Sequence, residues 1–164
     1  MADFNVNEFK EGVDNLFKNI AEGLPNITQI IAKDAIAVVK NRIQERGVDS
    51  EGSTFPAYSE AYKKKKANSK TGNKNTSYRD FTASGDMLRR LDIVSAGDES
   101  GKYVVRVGGK TDDAQDKIDG NSFGNGKWEG VGDILEVSDK EQEGFQETMD
   151  DELQKIIDKS GFGK

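Results

Sequence analysis

The chain is 164 residues long, carries a formal net charge of −6 and contains neither cysteine nor histidine. This length suits a single domain that buries its core without disulfides. The missing residue types remove thiolate nucleophiles, Ser-His-Asp and Cys-His couples, imidazole general bases and metal sites built on Cys or His.

Hydrophobic spacing predicts a first helix over about 7–22, with Phe9, Val13, Leu16, Phe17 and Ile20 recurring at helical intervals until Gly23 and Pro25. A second helix is expected over about 27–46, where Ile27, Ile30, Ile31, Ala35, Val39 and Ile43 share a stripe that ends at Gly47. Two strands, about 90–96 and 102–108, flank a five-residue hairpin loop over 97–101. A third strand is expected over 133–137. A third helix follows over about 139–159, opened by a capping box of Ser138 and Glu141 and carrying Phe145, Met149, Leu153, Ile156 and Ile157. The expected fold is therefore α+β, one domain with long amphipathic helices packed on a small antiparallel sheet. Two polar connections, about 48–82 and 108–132, are expected to be mobile and to order on assembly. The N-terminus has no apolar signal core, and the longest apolar run is far below the roughly 20 residues that span a bilayer. The chain is expected to be soluble, made inside the cell and without a membrane partner.

Charge is distributed unevenly. Residues 61–90 hold nine lysines and arginines against two acids, Asp80 and Asp86, a net +7; residues 1–60 are net −4 and residues 91–164 net −9. Like charges gathered on one segment are either solvated or matched by a partner. The basic segment therefore reads as a flexible solvated loop, as a phosphate-binding surface with interleaved aromatics, or as one half of a salt-bridged protein interface. A partner that is another copy of the chain also fits, because the chain ends are acidic.

Other motifs are weaker. Gly109-Lys110-Thr111 resembles the end of a phosphate-binding loop, but Val104 stands where the first glycine belongs and no helix pattern is evident after it. The stretch from Asp119 matches part of a calcium loop, yet Phe123 and Gly130 occupy two ligand positions. Lys70-Thr71-Gly72 has no Ser-x-x-Lys to accompany it. The acid pairs Asp112-Asp113 and Asp150-Asp151 read as solvated surface charge. Trp128, flanked by glycines, is either a core anchor or an aromatic hot spot that docks a neighbour.

Several stretches also occur in a telling order. Arg42-Ile43-Gln44-Glu45-Arg46-Gly47 ends the long helix. Then come Asp49-x-Glu51-Gly52-x-x-Phe55-Pro56-Ala57-Tyr58-Ser59, a run of Tyr62-Lys63-Lys64-Lys65, and Ala83-Ser84-Gly85-Asp86-Met87-Leu88-Arg89-Arg90-Leu91. Asp133-Ile134-Leu135-Glu136-Val137-Ser138-Asp139 leads into the last helix. Across residues 36–157 this order resembles the tailed-phage virion-morphogenesis family, whose members complete the tail and join it to the head. The resemblance implies a structural virion protein without enzymatic activity or cofactors, made in the cytoplasm of a bacterial host. It also implies a ring of identical subunits that contacts neck, portal-adaptor or tail proteins, with non-specific contact to packaged DNA. The alternative is a nucleic-acid-binding module that uses the lysine-rich loop. The residues expected at the partner or DNA contact are Phe55, Pro56, Tyr58, Tyr62, Lys63, Lys64, Lys65, Lys66, Arg79, Arg89, Arg90 and Trp128.

Overall fold

A computed structural model describes residues 6–68, 74–82, 85–124 and 130–161. Where spacing predicts two helices separated at Gly23 and Pro25, the structure has one, α1 (Val6–Asn41), which runs through both positions. Proline deprives the helix of one N–H donor, at a cost of about 3 kcal/mol in a helix interior. One partner helix lies against α1 on both sides of Pro25, and that packing outweighs the local penalty. The partner is α5 (Asp139–Ser160), which runs antiparallel to α1: Glu141 meets Arg42 at one end, and Gly23 faces Ile156 at the other. A Cβ at position 23 would stand 2.3 Å from Ile156 Cδ1. Gly23 therefore marks a close helix crossing and not a helix stop.

Beyond Asn41 the helix widens into a π-helical turn, Arg42–Arg46, closed by Gly47 N–H donating to the Arg42 carbonyl at 2.9 Å. Gly47 adopts φ 65°, and the Tyr78 ring lies where its Cβ would project, 2.3 Å away, so only glycine fits on both counts. A tight turn follows, in which the Asp49 carboxylate accepts from the N–H groups of Glu51 and Ser53 at 3.0 and 2.8 Å. The chain then enters α2 (Glu60–Ala67) and, after residues 74–82, the single turn α3 (Asp86–Arg89).

Strands β1 (Leu91–Glu99) and β2 (Lys102–Gly109) form the two-stranded antiparallel sheet. β1 runs three residues further into the hairpin than expected, while β2 begins at Lys102 as expected: Glu99 pairs with Lys102, leaving the two-residue turn Ser100-Gly101. Both turn residues have positive φ, 51° and 80°, the backbone hand that suits the right-handed twist of a tight hairpin. A bulge between Ile93 and Ser95 turns Val94 outward.

The third strand expected over 133–137 does not form. Residues 133–137 are a turn, with Glu136 N–H donating to the Asp133 carbonyl at 3.2 Å and Leu135 N–H to the Asp133 carboxylate at 2.9 Å. The two long connections also contain regular structure, α2 in the first and α4 (Asp112–Phe123) in the second. Their polar composition hid short helices that need only one buried side each. The α4 N-terminus packs so closely on the end of β2 that a Cβ at Gly109 would lie 2.4 Å from Gln115 N.

The result is an α+β fold with long helices against a small sheet. Its core joins Ile36, Val39 and Ile43 to Phe55, Met87, Leu88, Leu91, Ile118 and Ile134. Among the described residues, no helix is long and apolar enough to cross a membrane.

Candidate interface

Ser59 starts α2 by accepting the Tyr62 N–H on its hydroxyl. The helix is too polar to be held by an apolar stripe. A buried ion pair holds it instead: Lys66, last of the lysine run, turns inward and bonds Asp80, both side chains being almost fully enclosed. Asp80 Oδ1 also accepts from the Tyr58 hydroxyl at 3.0 Å and from Thr82 N–H at 3.2 Å. The Lys66 ammonium lies 4.8 Å above the Tyr58 ring, whose centroid is 4.7 Å from that of Tyr62. Tyr58 accepts the Phe81 N–H at 3.2 Å, helping to hold Phe81 at its positive φ of 53°. Residues 58–66 and 80–82 are thus tied by one buried cation and one buried anion.

Electrostatics follow from that burial. The Tyr58 hydroxyl is pushed well above the usual phenol range, first by loss of solvent and then by the charge of Asp80. Tyr62 and Tyr78 are raised in the same direction and mainly for the same reason, desolvation. Tyr78 donates to the Gln44 carbonyl at 2.8 Å and so links this cluster to the π-helical turn.

Two of the expected contact residues are internal. Lys66 is 3% exposed and Phe55 4%, the latter packed edge-on against Phe81 with ring centroids 5.3 Å apart. Neither presents surface to a partner. Lys63 is half-buried and paired with Glu60 at 2.7 Å. Tyr58, Tyr62 and Arg79 are half-buried, and Arg79 N–H donates to the Pro56 carbonyl at 3.1 Å. Pro56, Lys64, Lys65, Arg89 and Arg90 are exposed, with Arg89 bonded to Asp86. Trp128 lies outside the described residues.

Lys70-Thr71-Gly72 lies outside the described residues, and two other motifs resolve as local structure. A helix does follow Gly109-Lys110-Thr111, against expectation, because Thr111 caps α4 by accepting the Ala114 N–H. Asp112 and Asp113 fill the first turn of that helix, a setting that repels phosphate. Residues 119–123, the start of the calcium-like stretch, are helical within α4. Among the described residues, no group of three or more acids could hold a metal ion.

A second buried ion pair was not expected from sequence. Arg42 is 2% exposed and reaches Glu141 at 2.7 Å through Nη1. Its Nη2 donates to the carbonyl of Glu136 at 2.7 Å. Glu141 at the same time accepts the Ser138 N–H at 2.8 Å to complete the capping box. One guanidinium fork thus clamps the 133–138 turn and the start of α5 onto the end of α1. The capping box was legible in sequence; its long-range arginine was not, because nothing local distinguishes Arg42 from Arg46.

Comparison with protein-family models, with curated proteins and with solved structures finds no match to this chain.

Proposed function

We propose that this chain is a structural virion protein that joins or completes the head-to-tail connection of a tailed phage, as a ring of identical subunits. One observation carries the reading beyond the order of motifs. The separate stretches that resemble the family meet in one core: Ile43 from the helix end, Phe55 from the following turn, Met87, Leu88 and Leu91 from the strand entry, and Ile134 from the closing segment. Motifs that pack together constrain one another, whereas chance matches have no reason to converge. The exposed lysines and arginines of the basic segment then serve contact with neighbouring subunits, neck or tail proteins. The proposal is tested by producing phage particles from a host in which this chain carries a small tag. A fixed copy number at the head-to-tail joint supports it, and absence of the tag from purified particles refutes it.

A second reading, nucleic-acid binding, is favoured by the exposure of Lys64, Lys65, Lys74 and Arg90, none of which has an ion pair among the described residues. Lys66 is neutralised internally and is removed from the count of phosphate contacts. Four contacts would give a salt slope of about −3 to −4 on B-DNA. A flat salt response in a DNA-binding titration excludes this reading.

A further inference from the structure

The buried residues of α1 all lie at or beyond position 27: Ile27, Ala32, Ile36 and Val39. Helix α5 has none. Residues 6–26 and the outer half of α5 form an arm: Gly23 meets Ile156 four residues before α5 ends at Ser160, so the N-terminal turns of α1, with half-buried Val13, Leu16 and Ile20, run on past the end of α5. Two helices alone cannot enclose a broad apolar stripe. Val6, Phe17 and Leu24 remain 66%, 67% and 39% exposed. At 100° per residue these three fall within about 20° of one another, on the shoulder of the half-buried stripe.

The arm is also acidic. Residues 6–26 and 150–160 together carry eight acids against four lysines, a net −4. The segment 61–90 carries net +7, and its exposed Lys64 and Lys65 are fixed outward because Lys66 anchors the same helix inward.

We infer that the arm of one copy docks on the α2 face of a second copy, Phe17 and the acids of the arm meeting Lys64, Lys65 and the exposed Pro56. This rests on the ring reading and specifies its contact. Arm-to-arm packing would set −4 against −4, whereas arm-to-α2 packing sets opposite charges together and places an aromatic face beside cations. The α1 part of the arm, residues 6–26, gives a face about 30 Å long. The two surfaces differ, so the contact is heterologous and propagates head to tail until it closes as a ring.

The experiment uses the purified full chain and measures mass by sedimentation. Variant A carries Glu11→Lys, Asp14→Lys and Asp151→Lys, all exposed; variant B carries Lys64→Glu and Lys65→Glu. Helical content by circular dichroism verifies that both are folded. Each variant alone is expected to associate at least tenfold more weakly than the native chain, with Phe17→Ser showing a similar loss. A mixture of A and B is expected to regain association, because each arm then finds an opposite face. If the native chain forms rings and neither variant weakens them, this contact is wrong while the ring reading stands. If variant A alone associates more tightly, arm-to-arm packing replaces it. A native chain that stays monomeric at every concentration overturns both.

Discussion

Lys66 and Asp80 form a pair whose members cannot be removed singly without loss. Lys66→Ala leaves Asp80 enclosed without its cation, and breaking a buried pair from one side costs about 3 to 5 kcal/mol. Denaturant unfolding is the measurement, and a loss below about 1 kcal/mol would show that the pair is solvated. Tyr58 gives the cluster a pH signature. Its folded-state pKa is raised above the ordinary value of 10.0, so the native chain keeps a proton that the unfolded chain releases. The associated stability is fully present below pH 10 and is lost as pH climbs above it. Tyr58→Phe is expected to flatten the alkaline side of the stability curve, read by unfolding at a series of pH values. An unchanged slope above pH 10 would assign the alkaline sensitivity to Tyr62 and Tyr78.

At the scale of the element, α1 carries a local fault that tertiary packing tolerates. Pro25→Ala restores the missing donor at a position only half-buried, and is expected to stabilise the chain by about 1 to 3 kcal/mol. Thermal unfolding measures it, and a lower melting temperature would mean that the proline bends α1 onto α5. Gly47 behaves oppositely. Alanine there must take a positive φ and displace the Tyr78 ring, which its own hydrogen bond to Gln44 holds in place. The expected loss is about 1 to 3 kcal/mol.

For the whole molecule, Arg42 ties the start of α5 to the end of α1. Arg42→Met removes the fork that holds Glu141 and the Glu136 carbonyl, and is expected to destabilise by about 3 kcal/mol or more. Hydrogen exchange should rise first in α5 and only later in β1 and β2; simultaneous loss everywhere would show that α5 and the sheet unfold as one unit. Arg42→Lys is expected to resemble the methionine variant, since an ammonium cannot reach both acceptors in the same fork geometry. Surface and anchor charges must also be separated when assembly is probed. Reversing all four lysines, Lys63, Lys64, Lys65 and Lys66, would unfold the α2 region through Lys66, so only the Lys64 and Lys65 pair tests contact.

The helical stripes, the Ser138 capping box and the β1–β2 pairing were legible in the sequence because each depends on residues a few positions apart, where periodicity and turn chemistry act directly. The same locality explains the α+β class. What the tertiary structure alone decided depends on groups far apart in the chain. Gly23 reads as a stop until Ile156 is placed against it, and Pro25 reads as a break until α5 spans both sides. Residues 133–137 have a strand's composition, but the Arg42 fork captures the carbonyl of Glu136, so the segment turns. Four adjacent lysines look equivalent on paper; helix α2 divides them, because Asp80, fourteen residues from Lys66, gives one of them a buried counter-charge and leaves Lys64 and Lys65 in water.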